Sequence, residues 1–494
     1  MEKLTADIIV IASGPAGLTA AISAAQQGAS VLVFEKNATT GGTANRGMGP
    51  LGIESRHTRG RLLPPTKDEA FRAFMDYTHW RVDARLVRAF LNKSGDTIHW
   101  LESLGVEFIE PATYFTGAYS TWHLVKPETG PPGPGGAATM MRILTQRAIE
   151  LGVQIKLECP VSQIIKEEET VVGVRATDSD GNEIEARSKA VIVATGGFGN
   201  SPEMIRDHAG FEIDKDIYPF RIPGITGDGI RMAWAVGAQK TEMTMELIYG
   251  MPDPLNVPPP LHEACRQPHL LVNEQGERFL NEGIMPNVTF TANAIALQKN
   301  KTAFLIFDES ILRLMEVDFD TRNRVFPKTC FDNAEAIIAG YLKSGRGNFY
   351  MADTLEDLCA QTGIDPVGLQ ATVDRYNACC SAGYDELFNK DRQYLRPLWG
   401  GKWYAGRHFP SAYGSAGGIK INEKTQVIGP DWQPINGFYA AGTDACSIYG
   451  DSYPFIFPGT SMGFAMNTGR MAGENALKYV QTHKHTNEPE LISN

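Results

Sequence analysis

Between Ala6 and Glu35 the chain carries an arrangement suited to binding a pyrophosphate. An apolar run, Ala6 to Ile11, leads into Ala12-Ser13-Gly14-Pro15-Ala16-Gly17, then an alanine-rich helical stretch and a second apolar run, Ser30 to Glu35. N–H groups at a helix start are unpaired and partly positive, so a phosphate settles there if no side chain intervenes. Gly14 and Gly17 allow that approach and close strand–helix packing; Ala12, in place of the usual first glycine, asks for a slightly less strained turn. Glu35 follows Gly17 by eighteen residues, where such a unit places the acid that holds an adenosine ribose. Alone, this pattern also fits an ordinary βα turn. Lys36 and a second glycine turn, Gly41-Gly42-Thr43, follow the acid at once, with Gly47 and Gly49 close behind. A flavin needs such backbone donors along its ribityl-phosphate side, and a nicotinamide cofactor rarely does.

The far end of the chain carries the complement. Gly437-Phe-Tyr-Ala-Ala-Gly442-Thr443-Asp444 is followed by Pro458-Gly459-Thr460-Ser461-Met462-Gly463, with an aromatic loop, Tyr449 to Phe457, between them. Val191 to Val193 is a buried strand ending in Ala194-Thr195-Gly196-Gly197, the form expected where backbone approaches a dinucleotide. Val161 and Asp228, the latter in Thr226-Gly-Asp-Gly229, complete the expected cofactor set. The pairing of two glycine-rich ends points to FAD.

These motifs need a scaffold, and composition bounds it. At 494 residues the chain exceeds one ordinary core, so two domains are expected, and 50 glycines with 43% apolar residues suit a compact α/β protein. A net charge of −11 argues against nucleic acid or an anionic membrane as partner. No apolar stretch reaches the length of a membrane span, and Met1-Glu-Lys-Leu-Thr5 enters the first strand without a signal peptide. Seven cysteines without a Cys-x-x-Cys encode neither haem attachment nor an ordinary iron–sulfur set, and they fit a reducing cytoplasm. Cys379-Cys380 reads as a helix-packing pair. Electrons must then come from a separate donor.

Along the chain, helices are expected at 67–80, 83–104, 137–151, 355–361 and 366–382, and strands at 153–157, 161–166, 171–176 and 183–188, with a hairpin turn at Asp180-Gly181. From about Met245 the pattern changes, with prolines clustered at 252–260. The expected organisation is an FAD-binding domain over 1–244 and 353–481, a capping lid over 245–352, and a disordered tail from 482 to 494.

The layout resembles the fumarate reductase/succinate dehydrogenase flavoprotein family, in particular its soluble single-chain members, from about Ala6 to Leu477. The resemblance rests on the opening fingerprint with Glu35-Lys36, on Ala194 to Phe198, Thr226 to Gly229, Val272-Asn-Glu-Gln-Gly-Glu-Arg-Phe279, Gly417-Gly-Ile-Lys-Ile-Asn422 and Tyr439-Ala-Ala-Gly442. It implies an α/β fold: a Rossmann-like FAD-binding domain of glutathione-reductase type, interrupted by an α+β capping domain, with an alkene between cap and flavin ring. Glu263-Ala-Cys-Arg266 looks like the family's proton-feeding glutamate and arginine; an ordinary solvated turn is the alternative. Tyr453-Pro454 is similar to the Tyr-Pro of 3-ketosteroid dehydrogenases, whose tyrosine binds a ketone; a packed loop residue is the alternative. Tyr114, Tyr119, Trp122 and His123 could anchor their loop or line a substrate, and Tyr119 joins Tyr453, Arg266 and Glu263 as a catalytic candidate.

The fumarate pattern itself is broken. Where those enzymes hold a carboxylate with histidine, this chain has Gly414; where they deliver a proton from arginine it has Pro286; and the late arginine has no counterpart between Asp451 and Gly459. A dicarboxylate needs cations, whereas an enone needs one neutral donor and apolar walls, which Tyr449, Tyr453, Phe455 and Phe457 offer. The expected function is therefore FAD-dependent reduction, or formation, of a carbon–carbon double bond conjugated to a carbonyl, by hydride transfer at flavin N5. FAD should be held non-covalently, since 41–49 contains no histidine, cysteine or tyrosine. The partners would be a small unsaturated carbonyl compound and an external electron donor or acceptor. His262, His269 and His408 lack metal-ligand spacing, so no metal is expected. The alternatives are a flavoprotein subunit of an electron-transfer complex without its own small-molecule site, and a nicotinamide dehydrogenase.

Overall fold

A computed structural model describes residues 1–250, 257–317, 331–344 and 348–484; there the apolar runs become two sheets. The first is built from β1 (Glu2–Thr5), β2 (Ile8–Ile11), β3 (Val31–Phe34), β4 (Gln154–Lys156), β5 (Val161–Glu167), β6 (Thr170–Thr177), β7 (Glu183–Arg187) and β8 (Ala190–Val193). The second takes β9 (Thr244–Gly250), β10 (Leu270–Val272), β11 (Ala303–Asp308), β12 (Phe349–Ala352) and β13 (Trp403–Ala416); β14 (Gln426–Ile428) and β15 (Pro434–Ala440) return to the first.

The first sheet runs β1-β7-β6-β15-β8-β2-β3-β4, with β5 added to β6 and β14 to β15. Its centre, β15, β8, β2 and β3, is parallel, and all four residues of β2, β3 and β8 are buried, which is why these segments read as unbroken apolar runs. Chain order reverses between β8 and β2, and ligands of open parallel sheets sit off the carboxyl ends of strands at such a point. The helix Pro15–Ala25 covers this centre and is buried over ten of its eleven residues. Against it lies the last helix, Thr460–Lys484. A Cβ at Gly469 or Gly473 would stand 2.2 Å from the backbone oxygen of Ala16 or Ala20, so two glycines one turn apart set the approach of these helices.

Most expected elements form within a residue or two, for local reasons. Thr66 and Glu69 make a capping box that starts the helix Lys67–Tyr77, and His79 and Trp80, both at positive φ, lie beyond its end. Asp83 caps Ala84–Ser103 by accepting from the backbone of Arg85 and Leu86. Two departures matter. Met1 to Thr5 does not run into the first nucleotide strand: Glu2–Thr5 is a separate edge strand parallel to β7. The longest strand, the fourteen-residue β13, pairs with β11 and β12 over its first half and β9 over its second, and Gly406, Pro410 and Gly414 hide it from a pattern reading. The second sheet thus draws on residues from 244 to 416. Cys379 is buried and Cys380 half-buried on the helix Pro366–Ala382. No helix among the described residues is long and apolar enough to cross a membrane. The last helix runs to Lys484, three residues into the expected tail, and from 485 on that tail lies outside the described residues.

Candidate active site

At the carboxyl ends of β2, β3 and β8 a cleft opens over the first helix. Segments far apart in sequence meet on its walls. Gly14 and Ala16, Glu35 and Lys36, and Gly42 and Thr43 form one side; Val161, Ala194, Thr195, Gly196, Asp228, Gly442 and Thr443 form the other. Pro160, Gly224, Ile225 and Met232 also line it, and nothing in their residue types marks them beyond their place beside the motifs.

The cleft fits the dinucleotide that the sequence implies. Gly14 caps the helix with φ −70°, and an added Cβ would meet nothing within 4 Å, so the open N–H groups look into free space. Gly42 faces Gly14 across the opening; its Cβ would stand 3.4 Å from the Gly14 Cα. Gly17 serves packing, since a Cβ there would lie 1.9 Å from the Ala12 oxygen. Ala12 itself corrects an expectation: it sits at φ +82°, so the turn keeps the left-handed conformation that a glycine would adopt freely, and the alanine bears the strain. Glu35 is buried and works on both oxygens. Oε2 accepts from Ser13 N at 2.9 Å and Ser13 Oγ at 2.8 Å, and Oε1 from Asn37 N at 2.9 Å. Lys36 reaches Asp228 at 2.5 Å and Thr226 Oγ1 at 3.0 Å, closing the rim.

Asp444, placed by sequence among the cofactor residues, turns inward. Its carboxylate accepts from the Thr195 backbone and hydroxyl and from Gly197 N at 2.8 Å, so it braces the end of β8 from below the cleft. Gly41, at φ +100°, makes the turn into Gly42 and Thr43 and does not line the cleft.

Gly47, Gly49, Gly459, Ser461 and Met462 form a seam away from the cleft walls. Leu51 N donates to Gly459 O, His123 N to Pro50 O and Tyr119 N to Ile456 O, each at 2.9 Å. A Cβ at Gly49 would stand 1.9 Å from His123 O, one at Gly459 2.7 Å from Leu51 N, and one at Gly47 2.3 Å from the Met462 methyl. Three segments can meet here only because these positions lack side chains.

Above the seam lies an aromatic box. Tyr119 stacks on Phe457 at 4.9 Å, Tyr114 meets Phe455 edge-on at 4.5 Å, and Tyr453 packs between Tyr449 at 5.2 Å and Phe455 at 5.8 Å. The Tyr453 hydroxyl accepts from Ser461 N at 3.3 Å, and burial raises its pKa well above the usual phenol value. Trp122 and His123 are loop anchors: Trp122 Nε1 donates to Gly49 O at 2.9 Å, and His123 Nε2 lies 2.7 Å from Ser55 Oγ. Burial pushes the His123 pKa down to about 4. Glu263 is fully buried, and Arg266 is half-buried with Nη2 donating to the Tyr114 hydroxyl at 2.8 Å, so the pair is no solvated turn. Glu246 of β9 joins the site without being among the residues expected from sequence. It is 3% exposed, beside Ser461 and Tyr453, and its signal was a lone acid in the apolar run Met243 to Tyr249.

Comparison with known proteins agrees with this geometry. Residues 7–455 match the family model described as FAD binding domain. The chain is 30% identical to a vinyl phenol reductase of Lactiplantibacillus plantarum, over 97% of each protein. It is 28% identical to a fumarate reductase (cytochrome) of Shewanella frigidimarina, over 96% of this chain and 77% of the relative. The fold matches a 3-ketosteroid-Δ4-(5α)-dehydrogenase from Rhodococcus jostii RHA1 with TM-score 0.76 at 23% identity, covering 97% and 98% of the two chains. The chain belongs to the FAD-binding family of fumarate reductase-like flavoproteins, and its cofactor is FAD.

Proposed function

We propose that this flavoprotein reduces, or in reverse forms, a carbon–carbon double bond conjugated to an uncharged oxygen-bearing group, a carbonyl or a phenol ring. The observation that carries this reading is the convergence of Tyr453, Tyr114 and Arg266 on one aromatic box beside Gly459 to Met462. When bound, FAD supplies the hydride. Tyr453 stays neutral through the working pH range, accepts from Ser461 N and so has its own proton free for a substrate oxygen. Arg266, with Glu263 behind it, passes a proton through the Tyr114 hydroxyl to the substrate carbon. Phe455, Phe457 and Tyr119 supply apolar walls and keep water out.

The cofactor roles follow the cleft: Gly14, Gly42 and Ala16 at the phosphates, Glu35 at the adenosine ribose, and the Gly459–Met462 seam at the flavin ring. The part of the chain on the second sheet, with 245–352 as its sequence-based extent, serves as the cap. The vinyl phenol reductase supports the widening from carbonyl to phenol, since its named substrate carries its double bond on a phenol ring. An external redox partner exchanges electrons with the enzyme, and the free cysteines among the described residues, Cys159, Cys265, Cys359, Cys379, Cys380 and Cys446, are in keeping with a reducing cytoplasm.

The test is anaerobic photoreduction of the FAD-loaded enzyme, followed by addition of enones, 4-vinylphenol, aryl acrylates and fumarate while flavin absorbance is monitored. Neutral conjugated alkenes should reoxidise the flavin much faster than fumarate does. Equal rates with fumarate, or no reoxidation by any alkene, would refute the proposal.

A further inference from the structure

Glu246 is a carboxyl group that the reaction above does not use. It lies in the middle of β9, where only Thr244 and the acid itself interrupt apolar residues from Met243 to Tyr249. Burying an ionised carboxylate without a cation costs several kcal/mol. Among the described residues no lysine, arginine or histidine forms an ion pair with it, and the Ser461 hydroxyl on the first turn of the last helix hydrogen-bonds to it.

The register of the sheet shows what the acid faces. Leu247 pairs with Ala412 and Met245 with Ser415, so Glu246 stands opposite two residues, Tyr413 and Gly414, across a β-bulge. A Cβ added at Gly414 would stand 3.7 Å from Glu246 Oε2, so the glycine leaves the room of a side chain beside the carboxyl. Oε1 has no hydrogen-bond partner among the described residues. The titratable groups around it are Tyr413, Cys446, Tyr449 and Tyr453, each kept neutral by burial. The helix Val288–Ala296 packed on β9 has no charged residue, and the Ile205–Ala209 turn carries Arg206, Asp207 and His208 exposed to solvent.

We propose that Glu246 is a specificity-determining residue: as a carboxylic acid it donates a hydrogen bond to an uncharged substrate oxygen seated beside Gly414, and so selects ketones and phenols over carboxylates. This deepens the alkene-reductase reading and rests on it. A carboxylic acid can both donate and accept, whereas a carboxylate ligand would meet a second acid with no cation to offset it. Burial raises the Glu246 pKa to about 7. The donor form is therefore complete well below pH 7 and is lost as pH rises through it.

The experiment is a titration of the FAD-loaded, oxidised enzyme with 4-ethylphenol from pH 6 to 8, read by the shift of the flavin absorbance bands on mixing, with any slower loss of those bands scored separately as dehydrogenation of the ethyl group. The probe itself stays neutral there, as phenols ionise near pH 10. Wild-type affinity should fall about tenfold across this range. Glu246→Gln keeps a donor and should bind with little pH dependence, and Gly414→Ala should fill the space and weaken binding about tenfold at pH 6. The carboxylate analogue 4-ethylbenzoate should bind worse than 4-ethylphenol at neutral pH. A flat wild-type profile, the same slope in Glu246→Gln, no flavin perturbation at any pH, or preference for the benzoate would each overturn the assignment. The wild-type slope and Gly414→Ala keep it testable if Glu246→Gln does not fold. If alkenes still reoxidise the enzyme while the wild-type profile is flat, only the role of Glu246 falls; if none does, the reductase reading falls first.

Discussion

Gly14→Ala separates a binding glycine from a packing one. Gly14 has φ −70° and ψ −173°, which alanine adopts without strain, and the new methyl would meet no protein atom within 4 Å. Loss of unfolded-chain entropy stabilises by about 0.4–1 kcal/mol and a poorer helix cap offsets a few tenths, so folding stability should change by less than about 1 kcal/mol. The methyl instead takes up space above the helix N-terminus that a pyrophosphate needs. Loss of two charge-assisted hydrogen bonds, at about 1.5–3 kcal/mol each, lowers FAD affinity at least about a hundredfold. Gly17→Ala is the counterpart: its methyl would lie 1.9 Å from the Ala12 oxygen, so it should cost folding stability by about 1–3 kcal/mol or more. Titration of apoprotein with FAD, followed by flavin fluorescence, and urea unfolding of each variant read the two quantities. Wild-type FAD affinity in Gly14→Ala would show that the phosphates do not lie over this helix.

Three further outcomes follow from the geometry. Tyr453→Phe should retain FAD, lose about 1 kcal/mol of stability through the Ser461 N–H, and turn over about 10²–10³-fold more slowly; a rise in KM alone would demote the hydroxyl to ground-state binding. Glu35→Ala should weaken FAD binding by about 1.5–3 kcal/mol and also lower the melting temperature, because Ser13 and Asn37 lose their acceptor; unchanged FAD affinity would remove Glu35 from the ribose site. Ala12→Gly should stabilise the protein by about 1 kcal/mol by relieving the left-handed alanine, as denaturant midpoints would show, and no gain would mean the strain is absent.

The parts of the site that the sequence made legible are those whose physics is local. A phosphate cradle needs glycines beside a helix start, and Gly14, Gly42, Gly196 and Gly442 announce themselves in their own segments before meeting in one cleft. Caps and turns are equally local, hence the correct helix at Ala84–Ser103 with Asp83 before it. What long-range pairing decides was hidden. β13 contains two glycines and a proline within its span, and only pairing with three other strands makes it continuous. Asp444 looked like a ligand residue because it follows Gly442, yet it turns toward the backbone of Thr195 to Gly197 from another strand. Glu246 shows in the sequence as a lone acid in an apolar run, but only the register places it opposite Tyr413 and Gly414.

The same register accounts for what the box can recognise. Burial holds the phenols of Tyr413, Tyr449 and Tyr453 neutral well beyond physiological pH and brings Glu246 to about 7, where half of it is uncharged. Among the described residues, the one cation in contact with the box, Arg266, already donates to Tyr114. A substrate with two carboxylates would need two desolvated cations here, and leaving even one charge unmatched costs several kcal/mol, enough to lower affinity by factors of hundreds or more. An enone or a vinylphenol brings a flat apolar body for Phe455, Phe457 and Tyr119 and a single oxygen for neutral donors. On the proposed reading, that match of charge state, set by burial and by a glycine at position 414, is what would favour a neutral conjugated alkene over a dicarboxylate.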